Sequence, residues 1–217
     1  MRTPNKVMNL LSVCLLLSFT GCSSGIVGSG VGKIEKRETP AFTKIELDGV
    51  TKAEIGFGEA QGVEVELDDN LLAHFYTKVE GDTLKVTSEH LAAKVGPIVR
   101  VTMPRLQTLS LSGATRAKIT ELSAEELNLN LSGVGVVTFA GGSLEDLNAE
   151  ASGSSKIETE DLELGSAKVV LSGTSRAKLG EMKKLDIQAS DSSELTYSGE
   201  PEITQDLSGT SRLKVAN

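Results

Sequence analysis

The chain has 217 residues and a net charge of −8 at pH 7. That acidic balance argues against nucleic acid as a partner, because phosphate contacts draw on clustered Lys and Arg. With no Trp, two Tyr, five Phe and 22 Gly, the interior must be built from Val, Leu, Ile and Ala, which suits a narrow, layered core.

The chain opens with Arg2 and Lys6, continues through an apolar run from Leu10 to Phe19 and closes on Gly21 and Cys22. A basic start, a short apolar stretch and a small-residue exit predict a signal peptide over residues 1–21. The run is about ten residues long, half of the roughly twenty that a bilayer-spanning helix needs. Phe19-Thr20-Gly21-Cys22 resembles the bacterial lipobox, which implies that Cys22, carrying palmitate or a similar acyl chain, becomes the first residue of a lipoprotein. One acyl chain holds a protein to a membrane only marginally, so firm anchoring takes more than one. The alternative is ordinary cleavage that leaves Cys22 as a loose thiol. Cys14 leaves with the signal, so the remaining chain has no internal disulfide. Its net charge moves from −8 to −10 and about 195 residues remain, room for one domain with a sizeable core. Ser23 after the cysteine is compatible with sorting to the outer membrane, on its periplasmic or its surface face.

Residues 22–39, with the stretch SSGIVGSGVGK, lack hydrophobic periodicity and read as a Gly/Ser tether. From about Phe42 apolar and polar residues alternate, in FTKIELDGVTKAEIGF, VEVELDD, KVEGDTLKVTS and PIVRVTMP. These are period-two strands, with turns at Gly56, Gly58, Gly62, Glu80-Gly81-Asp82 and Gly96-Pro97. Asn70 to His74 has room for one helical turn. The expected division is therefore a signal peptide, a tether, and a single domain over 40–217 whose first part, 40–104, is less regular than its second, 105–217.

That second part repeats itself. LSGATRAKI from Leu111 recurs as LSGVGVVTF, ASGSSKIET, LSGTSRAKL, ASDSSELTY and LSGTSRLKV, at offsets of 20, 20, 20, 18 and 18 residues, and LDGVTKAEI from Leu47 is a divergent earlier copy. A period of 18–20 with strand character and no helix predicts an all-β protein, a β-solenoid of stacked coils. Three columns should face inward: Leu111, Leu131, Ala151, Leu171, Ala189 and Leu207; Leu109, Leu129, Ala149, Val169 and Ile187, broken by Gln205; and Ala117, Val137, Ile157, Ala177, Leu195 and Leu213.

The corner residues Gly113, Gly133, Gly153, Gly173 and Gly209, with Asp191 in the fifth copy, mark a sharp turn where positive φ is expected. Ser112, Ser132, Ser152, Ser172, Ser190 and Ser208 should stack as a hydroxyl ladder that caps backbone groups. A strip of serines can also mimic a sugar site or a nucleophile, but a corner requires these residue types whatever the function. On the following strand, Arg116, Lys156, Arg176 and Arg212 share one column and Lys118, Lys178 and Lys214 another two residues on, giving a basic stripe on an acidic protein. Such a stripe suits acidic glycans or phosphates; the competing reading is solvation and pairing with neighbours such as Glu158 and Glu194.

Catalytic and metal chemistry finds little footing. Only His74 and His90 are present, both outside the repeats, which is too few for a Ser-His-Asp set or a multi-His site. Carboxylates such as Asp68 with Asp69 and Glu160 with Asp161 fall in different columns. There is no phosphate-binding glycine loop and no GGxGxD calcium repeat, so no enzyme activity, cofactor or metal is expected.

An export signal, the FTKIELDGV strand, LKVTS, the VRVTMPRLQTLSLSG bridge and repeated SGxS corners together resemble the putative auto-transporter adhesin head GIN domain family, DUF2807, over about residues 40–215. The resemblance implies a right-handed parallel β-helix, frequently on envelope lipoproteins, and brings no catalytic residues. The expected function is a non-enzymatic, adhesin-like or scaffold module that shows a solenoid face to a protein or polysaccharide; the alternative is a periplasmic sensor or stress-related lipoprotein, with a polysaccharide-active enzyme third. The last repeat runs to within two residues of Asn217, which predicts either a polar terminal strand or end-to-end association of two chains.

Overall fold

The computed structural model describes residues 25–216. The expected signal peptide and Cys22 lie outside the described residues. Ahead of the repeats come β1 (Ile26–Val27), β2 (Gly32–Arg37), β3 (Lys44–Leu47), β4 (Lys52–Phe57), β5 (Gly62–Asp68), β6 (Phe75–Glu80), β7 (Thr83–Ser88), β8 (Leu91–Ala92) and β9 (Ile98–Met103). The repeats hold β10 (Thr108–Leu111), β11 (Arg116–Leu131), β12 (Val136–Ala151), β13 (Lys156–Thr159), β14 (Glu163–Leu171), β15 (Arg176–Glu181), β16 (Lys184–Ala189), β17 (Glu194–Ser198), β18 (Glu202–Leu207) and β19 (Arg212–Val215). Among the described residues the one helical turn is 3₁₀, Leu72–His74.

The repeats stack as the spacing predicts. Leu111 pairs in parallel register with Leu131, then Ala151, Leu171, Ala189 and Leu207, five turns in all. Adjacent strands lie about 4.8 Å apart, so identical positions of successive copies touch. The three columns do face inward: Leu129, Val169, Ile187, Val137, Ile157 and Leu195 are all at 0% exposure. Larger side chains such as Ile119 and Phe139 fill the next inward position along the same strands. β11 and β12 bend within their length, at Glu121 and Gly141, both of which have positive φ.

The divergent copy from Leu47 is a true coil. Leu47 stacks on Leu111 and Ala53 on Ala117, although 64 residues separate them in sequence. The intervening chain leaves this coil and returns on its other side, where β7 lies parallel to β3 and β9 parallel to β4. Three strands then close this end in antiparallel pairings: β6 on β7, β5 on β9 and β2 on β5. Phe42, Leu71, Leu72, Phe75 and Leu106 are buried among them.

The tether expected over residues 22–39 is not free where it is described. β1 pairs with β8, and β2 pairs with β5 over six residue pairs. The link that holds it is Asp68, at 0% exposure. Its carboxylate accepts hydrogen bonds from the backbone N–H of Gly30 at 2.6 Å, Lys94 at 2.8 Å and Val95 at 3.0 Å. Composition misleads here because the glycines serve fixed geometry rather than flexibility: a Cβ on Gly28 would lie 2.3 Å from the Asp68 carboxylate, and Gly30 sits at a φ of 89°.

The opposite end has no such closure among the described residues. In β18 and β19, Leu207 and Val215 are 37% and 57% exposed, while Ile203 and Leu213 are half-buried.

Candidate functional site

Two outward columns run down the face formed by β9, β4, β11, β12, β13, β15, β17 and β19. One reads Ile98, Lys52, Arg116, Val136, Lys156, Arg176, Glu194 and Arg212; the other reads Arg100, Glu54, Lys118, Thr138, Glu158, Lys178, Thr196 and Lys214. The predicted stripe residues therefore do come together, and Lys52 and Arg100 extend the stripe beyond the repeats. The columns hold nine cations against three carboxylates, which makes this face basic on a chain of net charge −8.

Pairing divides the cations into two sets. Lys156 pairs with Glu158, Lys178 with Glu160, Lys214 with Glu194, and Arg100 with both Glu54 and Glu66. Hydrogen bonds from Lys156 and Lys214 hold the carboxyls of Glu158 and Glu194 below their ordinary values. Arg116, Lys118, Arg176, Arg212 and Lys52 are exposed, with no carboxylate within salt-bridge distance among the described residues. At the corner beside Lys52 and Arg116, Val50 and Val134 are 68% and 56% exposed.

At the corner itself, φ is 73° at Gly113, 74° at Gly133, 73° at Gly153, 71° at Gly173, 68° at Gly209 and 61° at Asp191, as the turn requires. In the predicted serine ladder Ser132 and Ser208 are exposed, while Ser112, Ser152, Ser172 and Ser190 are half-buried. Ser132, Ser152 and Ser208 donate to the carbonyl one coil back at 3.4 Å, long for a hydroxyl bond, while Ser112 bonds Asp48 at 2.6 Å. Ser112, Ser132, Ser152 and Ser172 line a shallow groove of about 350 Å³ together with Ser110 and Asn130.

A second ladder, three residues further along each copy, makes the stronger bonds. Ser155, Ser175 and Ser193 are buried and donate to Ser152, Ser172 and Ser190 carbonyls at 2.8 Å, and Ser211 donates to that of Ser208 at 2.7 Å. Thr115 and Gly135 occupy the same position in the first two copies. The Thr/Ser pattern of this column is present in five of the six phrases, masked by the more conspicuous Ser-Gly pair ahead of it.

Sequence reading also missed a broad groove of about 1310 Å³ on the far side of the β10–β11–β12–β14 face, whose lining includes Arg105, Gln107, Glu125, Asn128, Glu145 and Glu163. Its residues fall outside the nine-residue phrase, where the copies diverge. Of the two histidines, His74 lies in the N-terminal closure beside Glu89 at 3.1 Å and His90 is exposed. Among the described residues no group of three or more His, Cys, Asp or Glu is placed to hold a metal ion, and no helix is long and apolar enough to cross a membrane.

Comparison with known proteins agrees with this architecture. A putative adhesin from Bacteroides fragilis is 19% identical with a TM-score of 0.70, over 88% of this chain and 99% of its own. A putative lipid binding protein from Parabacteroides distasonis, 19% identical, has a TM-score of 0.53 over 88% and 99% of the two chains. A putative adhesin from Parabacteroides merdae, 14% identical, has a TM-score of 0.52 over 90% and 100%. At these identities the likeness shows the fold alone. No curated protein matches the sequence. The family described as "Putative auto-transporter adhesin, head GIN domain" matches residues 41–201, from the first strand of the Leu47 coil to the fifth repeat. With that span covering most of the chain and the coils stacked as the repeats require, this protein belongs to the auto-transporter adhesin head GIN domain family, whose description is of adhesins and not of enzymes.

Proposed function

We propose that this chain is a non-enzymatic, adhesin-like binding module of the cell envelope whose basic face grips an acidic polysaccharide. The observation that carries the reading is the register that lines up nine cations against three carboxylates, with Lys52, Arg116, Lys118, Arg176 and Arg212 each beyond salt-bridge distance of any carboxylate among the described residues, although Glu54 lies beside Lys118 and Glu194 between Arg176 and Arg212. Each exposed charge contributes little by itself in water, so a polymer that engages several coils at once suits this face better than a small anion. Affinity should fall steeply with salt. The test is binding of the purified chain to polygalacturonate and to a neutral glucan. Reversal of Arg116, Lys118 and Arg176 to Glu should weaken polygalacturonate binding by roughly tenfold or more. All three residues are exposed, so the circular dichroism spectrum should not change. Equal binding of both glycans, or indifference to the reversal, would sink the proposal.

The same reading makes Cys22 the lipid-carrying residue of an outer-membrane lipoprotein. Only Ser23 and Ser24 then separate the anchor from Gly25, and the segment that follows is fastened to the domain through β1 and Asp68. A span that short reaches about 10 Å at full extension, so the solenoid would ride close to the bilayer. Cys22→Ser should abolish incorporation of labelled palmitate and shift the protein from the membrane fraction to the soluble one. Undiminished labelling would assign the modification elsewhere.

A further inference from the structure

The two ends of the solenoid differ. β2, β5 and β6 close the N-terminal end with antiparallel strands. The last described coil, β18 and β19, pairs on one side only, with β16 and β17. Among the described residues no strand pairs with its other side, and an edge of that kind is a template for another strand. Three residues in the apolar positions of that coil, Ile203, Leu207 and Leu213, are partly or largely exposed, whereas their counterparts one coil inward, Leu185, Ala189 and Leu195, are at 4% or less.

We propose that this end docks a second copy of the same chain, end to end, about a two-fold axis. The geometry follows from the corner. β18 runs toward the Ser208–Ser211 turn and β19 runs away from it, so a two-fold that bisects the turn lays β18 of each copy along β19 of the other. The paired strands are then antiparallel, and two ladders form at once. Charge supports the same arrangement. The outward residues of β18 include Glu202 and Asp206, and those of β19 are Arg212 and Lys214, all four exposed. The two registers nearest the corner that keep apolar side chains inward set Asp206 of one copy opposite Arg212 or Lys214 of the other. An edge acidic on one arm and basic on the other is complementary to itself, as a two-fold interface requires. Because the other end is closed, the product is a dimer and not a filament. Gln205, the one polar residue in the inward columns of this coil, tolerates water, so the association is reversible rather than obligate.

The test is the mass of the purified protein by light scattering, with the contribution of detergent subtracted. The wild type should reach twice the single-chain mass by roughly 100 µM, where an association of micromolar Kd is largely complete. Asp206→Lys, which leaves the basic face intact, should halve that mass. Adding Arg212→Glu and Lys214→Glu to the same chain should restore it, and that restoration shows that the single variant had folded. A wild type that stays at single-chain mass, or a dimer indifferent to Asp206→Lys, overturns the proposal and leaves the polysaccharide reading untouched.

Discussion

Gly153→Ala should lower stability by more than about 2 kcal/mol, a fall of several degrees in melting temperature for a chain of this size. At its φ of 73° an L-residue already costs roughly 1–2 kcal/mol. The added Cβ would also lie 2.6 Å from the Gly133 carbonyl oxygen, and that oxygen accepts from Ser154 N–H at 2.8 Å. Relief therefore means separating two coils at the corner, where each stacks directly on the next. Two residues past the corner the same residue type should respond in the opposite sense. A Cβ on Gly135 meets only ordinary contacts, 3.4 Å to Leu111 Cβ and 3.7 Å to the Ser132 carbonyl, and its φ is not in the left-handed region. Gly135→Ser would supply the hydroxyl that Ser155 supplies one coil later, next to Thr115, whose buried hydroxyl has no partner among the described residues. A gain of about 0.5–1 kcal/mol is expected. Thermal melts of both variants check the account, and a harmless Gly153→Ala would show that the corner is not limited by backbone approach.

Asp68→Asn should cost roughly 5–10 °C in melting temperature and expose residues 25–31 to protease before the rest of the domain opens. An amide nearly conserves shape but replaces one acceptor oxygen by a donor, which then confronts the N–H groups of Lys94 and Val95 or of Gly30. The wild type should show the same dependence through pH. The Val95 amide is the largest influence holding the Asp68 carboxyl below its ordinary value; burial opposes it, and the Lys94 and Gly30 amides and the Lys94 charge reinforce it. A depressed carboxyl contributes stability that is fully present above its unfolded value and is lost as pH falls through its folded value. Acid should therefore release the N-terminal segment of the wild type first, and Asp68→Asn should flatten that part of the profile. Identical acid limbs in the two proteins would place the acid-sensitive contact elsewhere.

Much of the solenoid could be read directly because every coil restates the same constraints. The Leu111, Leu109 and Ala117 columns were legible as alternating apolar positions at fixed offsets, and the corner glycines were legible because the turn admits few other residues. The copy at Leu47 showed its kinship in sequence. Its spatial neighbours on the far side, β7 and β9, did not, since the pairing of Val86 with Leu47 and Val99 with Ala53 depends on an excursion with no periodicity of its own. The tether failed for a related reason. Gly and Ser serve a free linker and a segment drawn tight against a buried carboxylate equally well, and only the position of Asp68 in three dimensions distinguishes them. The basic columns were legible as columns, but the division between paired Lys156 and unpaired Arg176 depends on where Glu158 reaches.

Because each coil touches only its two neighbours, the body behaves as a measuring rod with interchangeable segments. The chain passes from Leu131 to Ser132 as it does from Ala151 to Ser152, so excising residues 132–151 would rejoin the same corner one coil earlier. Both ends would be preserved, and the rod would shorten by about 4.8 Å. A lineage carrying this design can lengthen or trim the surface it presents by duplicating or dropping about twenty residues, with the N-terminal closure and the C-terminal edge left intact.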